Sequence, residues 1–155
     1  IGFFGALLLG GGVLSFVLAQ QSRRAPLEIE PPTTALPWGV PEDRGNGRRF
    51  VYYQVPDGDI QQVVAYYNRK MLEHYGDPGL NERPEQCERF PRSGQFPNSQ
   101  QRNIVPFYVR CMFDNSGLNA LAFTQVTIHP GVFNEDPFYN TEGNVVIEYE
   151  QRWEP

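Results

Sequence analysis

The chain has 155 residues, of which 40% are hydrophobic, 14% aromatic and 20% charged, with a formal net charge of −5 and 2 cysteines. That charge, with no basic stripe to set against it, excludes nucleic acid as an expected partner. Two cysteines without CxxC spacing and two histidines far apart in sequence leave no zinc or haem-attachment pattern.

Residues 1–19 (IGFFGALLLGGGVLSFVLA) carry no charge and are apolar or small throughout. At ~1.5 Å of rise per residue, a helix over this run reaches about 28 Å, close to the ~30 Å hydrocarbon core of a bilayer. The expectation is a transmembrane anchor over residues 1–24. Val17-Leu18-Ala19 also resembles the site that a signal peptidase cuts. An uncleaved anchor is the reading adopted, with more chain expected before Ile1. Gly2, Ala6 and Gly10 recur at i+4 spacing, which lets another helix approach closely, and Gly11, Ser15 and Ala19 repeat the spacing elsewhere on the helix. A helix wedged between other transmembrane helices points to a subunit of a larger membrane assembly.

Two signals for orientation disagree. Arg23-Arg24 after the span would hold the following domain in the cytoplasm. Cys87 and Cys111 favour an oxidising compartment, where a lone pair of cysteines is normally joined. The domain is placed outside the cytoplasm on the second signal, with two unrelated buried thiols as the alternative.

Residues 25–41 contain five prolines (Pro26, Pro31, Pro32, Pro37 and Pro41) and no apolar periodicity. Helix and central strand are unavailable to such a stretch, so an extended linker is expected, serving as a stand-off or a strap. Leu36 and Trp38 near its end are expected to dock on the folded domain.

Residues 42–155 have the composition of one small domain rich in Phe and Tyr. A first strand is predicted over residues 49–55. A turn follows, with Asp59 as N-cap and Gln62 in the capping-box position, then a helix over 60–75 that stops at Gly76. Ile60, Val63, Val64, Tyr67 and Met71 fall on one helical face and are expected in the core. Residues 77–103 are polar and broken by prolines, so irregular backbone is expected there, with Cys87 inside it. A strand over 104–113 alternates Phe107, Val109, Cys111 and Phe113 with Tyr108, Arg110 and Met112, and a Cys87–Cys111 disulfide would pin the loop to it. Asp114-Asn115-Ser116-Gly117 is turn chemistry, and residues 120–128 read as the return strand. A last strand over 144–153 sets Val145, Ile147, Tyr149 and Trp153 against Glu148, Glu150 and Arg152. The fold class is α+β, in the order β-α-β-β-β, with one amphipathic helix on a mainly antiparallel sheet.

Chemistry-bearing motifs are missing from the sequence. There is no glycine-rich phosphate loop and no GxSxG, His74 and His129 are scattered, and no cofactor or catalytic residue is assigned. The segment that asks for a partner is 130–143 (PGVFNEDPFYNTEG), which combines Phe133, Phe138 and Tyr139 with Glu135, Asp136 and Glu142. Aromatic docking onto a neighbouring subunit, a loop that folds its own rings into the domain edge, and a calcium site without the EF-hand pattern all stay open.

Anchor, proline-rich strap and small disulfide-containing domain together resemble the single-span accessory subunits of bacterial electron-transport complexes, including alternative complex III. The resemblance lies in this architecture alone and carries no functional residue over. It implies a role in assembly or stability at the cytoplasmic membrane, with the soluble domain on the periplasmic or extracellular side and redox groups in other subunits. A free-standing anchored binding module for a solute, lipid or cell-wall component is the other class.

Overall fold

Among the described residues one helix packs on a wide sheet, and the part of that sheet face beyond the helix needs a second cover. The computed structural model describes residues 25–76, 85–117 and 120–154, and in it the proline-rich strap supplies that cover. The expected anchor, with Gly2, Ala6 and Gly10, and the Arg23-Arg24 pair lie outside the described residues. Among the described residues, no helix is long and apolar enough to cross a membrane.

The elements run β1 (Leu36–Pro37), β2 (Glu42–Asp43), β3 (Arg48–Val55), α1 (Ile60–Tyr75), β4 (Glu88–Phe90), β5 (Tyr108–Asp114), β6 (Ala122–Pro130) and β7 (Val145–Trp153). They form one antiparallel seven-stranded sheet in the order β1-β3-β7-β6-β5-β4, with β2 also on β3. The chain leaves β3, crosses by way of α1 to the far edge at β4, and returns by successive antiparallel strands until β7 pairs with β3. The α+β class with one helix on an antiparallel sheet is therefore correct. Three short strands are added to the expected order, and one of them, β4, lies inside the stretch expected to be irregular.

Helix α1 starts and stops as its sequence requires. Asp59 Oδ1 accepts a hydrogen bond from the Gln61 amide at 2.9 Å, so the cap engages the second helical residue rather than forming the expected box with Gln62. At the other end Gly76 has φ 82°, a conformation that L side chains rarely adopt, and its N–H donates to the Leu72 carbonyl. Val63, Tyr67 and Met71 are buried on the face turned to the sheet, against Val109, Cys111 and Phe113 of β5, Val126 and Ile128 of β6, and Ile147 and Tyr149 of β7. Burial of such side chains contributes on the order of 1.5–3 kcal/mol each. Cys87 and Cys111 are joined by a disulfide beneath the helix, and the Tyr67 and Tyr149 hydroxyls lie 2.7 Å apart in the core. Burial holds both of those phenols well above their ordinary pKa.

Beyond α1, the same face is covered by the strap. Leu27, Ile29 and Ala35 pack on the core while Glu28 and Glu30 face outward. The Leu27 carbonyl accepts from Thr124 Oγ1 at 2.5 Å and from Gln151 Nε2 at 2.9 Å, and both donors belong to fully buried residues. Arg49 donates to Gln151 and forms an ion pair with Glu28, while the Tyr66 hydroxyl donates to the Glu30 carbonyl. Extended backbone with few donors leaves its carbonyls to be satisfied by side chains, and these residues do so.

Strands β5 and β6 differ from expectation in their bounds, and β7 in its buried positions, for local reasons. Strand β5 begins at Tyr108 rather than Ile104, because Pro106 has no donor and its carbonyl is taken by the Phe96 amide. Strand β6 spans Ala122–Pro130, since Pro130 still sits opposite Val145 of β7. The alternation of β7 continues through Gln151, which is buried where an apolar residue is the rule.

Candidate functional site

At the edge opposite the disulfide, the end of the strap, β2, β3 and the β6–β7 loop meet around a cleft of about 380 Å³. Its walls are Trp38, Val40, Glu42, Tyr52, Phe138 and Tyr139. Val40, Phe138 and Tyr139 are 80%, 59% and 54% exposed, well beyond what ring-bearing and branched residues show when they fill a core.

Local chemistry positions each wall. The Trp38 amide donates to the Tyr52 carbonyl at 2.9 Å and extends the β1–β3 pairing, which stands the indole edge-on to the Tyr52 ring at 6.1 Å. Trp38 Nε1 then donates to the Phe138 carbonyl at 3.1 Å, tying the strap to the loop across 100 positions of sequence. The loop is held by its own polar side chains. Asn134 Oδ1 accepts from the Asp136 amide, Asp136 Oδ1 from the Phe138 amide, and Asn140 Oδ1 from the Glu142 amide. Thr141 is buried and its hydroxyl accepts from the Val132 amide. A Cβ at Gly131 would lie 1.7 Å from the Thr141 carbonyl oxygen, so this close approach admits only glycine. Phe138 and Tyr139, packed edge to face at 5.0 Å, are thus presented on a braced backbone.

The three aromatic residues expected to meet a partner divide. Phe133 is folded into the domain edge under Arg102, whose guanidinium lies 4.8 Å from the ring and also binds both oxygens of Glu142. Phe138 and Tyr139 remain outside. Of the acidic residues weighed for calcium, Glu142 is taken by Arg102 and Asp136 by the loop backbone, and no group of three His, Cys, Asp or Glu that could hold a metal occurs among the described residues. Trp38 docks as expected, whereas the Leu36 side chain is exposed and contributes its backbone to β1.

Two carboxylates and one guanidinium act on the cleft floor. Burial first, and then the Glu148 and Glu42 carboxylates, raise the Tyr52 phenol above its ordinary pKa, with Arg44 acting in the opposite sense. Glu148 stands directly across from Tyr52 in the β3–β7 register. Burial, followed by the neighbouring Glu150, raises its carboxyl, and no cation lies within ion-pair distance of it among the described residues. A neighbouring basin of about 440 Å³ contains Arg44, Arg48 and Arg152, but their charges are answered by Glu42 and Glu150. The part of this site missed by sequence reasoning is Val40, Glu42 and Tyr52. The edge pairing of β1 and β2 with β3 brings them to the loop, and two-residue strands leave no periodic signal.

No protein-family model, no curated protein and no solved structure matches this chain.

Proposed function

We propose that this chain is a non-catalytic accessory subunit of a multi-subunit bacterial membrane complex, of the electron-transport class that its architecture resembles, and that it contributes assembly or stability. Residues 1–19 would anchor it beside other transmembrane helices. The folded domain would lie on the periplasmic or extracellular side, where a Cys87–Cys111 bond persists. The observation that carries the reading is the exposed Phe138/Tyr139 pair on a loop braced by Trp38, because rigid exposed aromatics are the residues that anchor protein interfaces.

Gentle detergent extraction of native membranes followed by native electrophoresis tests it. Migration of the chain in a large assembly with fixed companions is the expected result. Migration alone at the mass of a single chain in its detergent belt overturns the subunit reading. The alternative, a free-standing anchored binding module, draws on the cleft of about 380 Å³, and that result would favour it.

A further inference from the structure

Among the described residues, five aromatic rings carry a cation over their faces. Arg44 and Arg48 lie over Phe50, Arg89 over Phe107, Arg102 over Phe133 and Arg110 over Phe90, with guanidinium carbons 4.3–4.8 Å from the ring centres, and Lys70 lies over Tyr66 at 5.9 Å. The rings of Trp38, Tyr52, Phe138 and Tyr139 have no such cover among the described residues. They converge instead on the cleft, with Glu42 at its rim.

We propose that the cleft is a seat for an arginine side chain of the protein onto which this domain docks, which rests on the partner-facing reading given above. A guanidinium is planar and weakly hydrated, so it stacks on ring faces while its N–H groups reach a carboxylate. Both features are in place here, with rings on the walls and, within the lining, Glu42, whose Oε2 pairs with the exposed Arg44 at 3.1 Å, so an incoming guanidinium would share or displace that surface pair. Charge favours a cation as well. Glu148 lies behind Tyr52 without an ion-pair partner among the described residues, and the chain as a whole is at −5. A second protein surface fits better than a free small cation, because Val40, Phe138 and Tyr139 stand largely in solvent, where a small ion would leave them wet.

The test is an NMR titration of the full chain, isotope-labelled and in detergent micelles, with N-acetyl-arginine amide as the probe and the Trp38 indole N–H as the reporter. The expected result is a saturable shift in the millimolar range, about fivefold or more weaker with N-acetyl-lysine amide, and not seen with the neutral isostere N-acetyl-citrulline amide. The Phe138→Ala/Tyr139→Ala variant loses the shift with the rest of the spectrum unchanged, and Glu42→Gln weakens it. An equal response to citrulline, or no saturable response to arginine, overturns the seat. If the chain nevertheless migrates with companions on native gels, the arginine seat alone falls. If it binds arginine yet migrates alone, the partner assignment falls instead.

Discussion

Two aromatic clusters in this small domain are put to opposite uses. Under α1, the Tyr67 and Tyr149 rings meet at 6.3 Å with Tyr53 and Tyr66 beside them, and the two central hydroxyls satisfy one another in the core. At the far edge, Trp38, Tyr52, Phe138 and Tyr139 are arranged with similar edge-to-face geometry but stand partly in water. Burial with matched hydrogen bonds makes the first cluster a source of stability. The second is rigid without being buried, so its apolar area is still open to a partner.

The contrast predicts where substitutions act. The largest stability effect is expected at the helix-covered region, where the bond between Cys87 and Cys111 closes a separation of 24 residues. Replacing both by Ala should cost about 3 kcal/mol. In a domain of this size that lowers the melting temperature by about 10 °C or more, measurable by calorimetry. A change under about 2 °C would show that the bond contributes little.

Next is Gln151→Leu, which withdraws the donor to Leu27 and the acceptor for Arg49. A loss of about 1–3 kcal/mol is expected, because the Leu27 carbonyl and the Arg49 guanidinium each lose one of two partners, leaving Thr124 and Glu28 respectively. Residues 25–35 should become the first site of limited proteolysis, while cleavage elsewhere stays unchanged. Unaltered protection there would mean that the strap is held by its apolar contacts alone.

At the cleft the order reverses. Phe138→Ala with Tyr139→Ala is expected to change unfolding free energy by no more than about 0.5 kcal/mol. The same pair should weaken partner association by about tenfold or more, as loss of interface anchors does. Equal losses in stability and association would assign these rings to folding.

The smallest effect concerns Glu148. Its carboxyl is raised in the folded state, chiefly by burial, so its contribution is greatest at low pH, where both folded and unfolded forms are protonated. That contribution is lost as pH rises through the folded-state value. Glu148→Gln should therefore be slightly more stable than the parent at pH 7, with the difference shrinking as pH falls through the raised folded-state value and largely gone below about pH 4. A difference that grows on acidification would reverse the sign of the argument.

What the sequence made legible follows from local physics. Helix α1 was readable to the residue because Asp59, the spacing of Val63, Tyr67 and Met71, and Gly76 all act within one segment. The core-facing positions of β5, and those of β7 other than Gln151, followed from alternation, and the disulfide followed from a pair of cysteines. The burial of the strap was not expected in that form, although a signal was present. Thr124 and Gln151 are polar at core-facing positions, and such residues need a polar partner. Strand β4 was hidden because its three residues between Cys87 and Pro91 are too short for a period, and its pairing with β5 is non-local. Phe138 and Tyr139 were named from composition. Their separation from Phe133 depends on where Arg102 lies, which no local pattern encodes.

The central claim is that the Phe138/Tyr139 edge faces another protein, and photo-crosslinking in native membranes reads it most directly. A benzophenone amino acid at position 139 is compared with the same probe at Leu72, an exposed position of α1 outside the cleft. The result in favour is a single defined adduct from position 139, lost when Phe138 is changed to Ala and not formed from position 72. The contradicting result is an adduct pattern from position 139 that is no different from that at 72, or one made only with lipid.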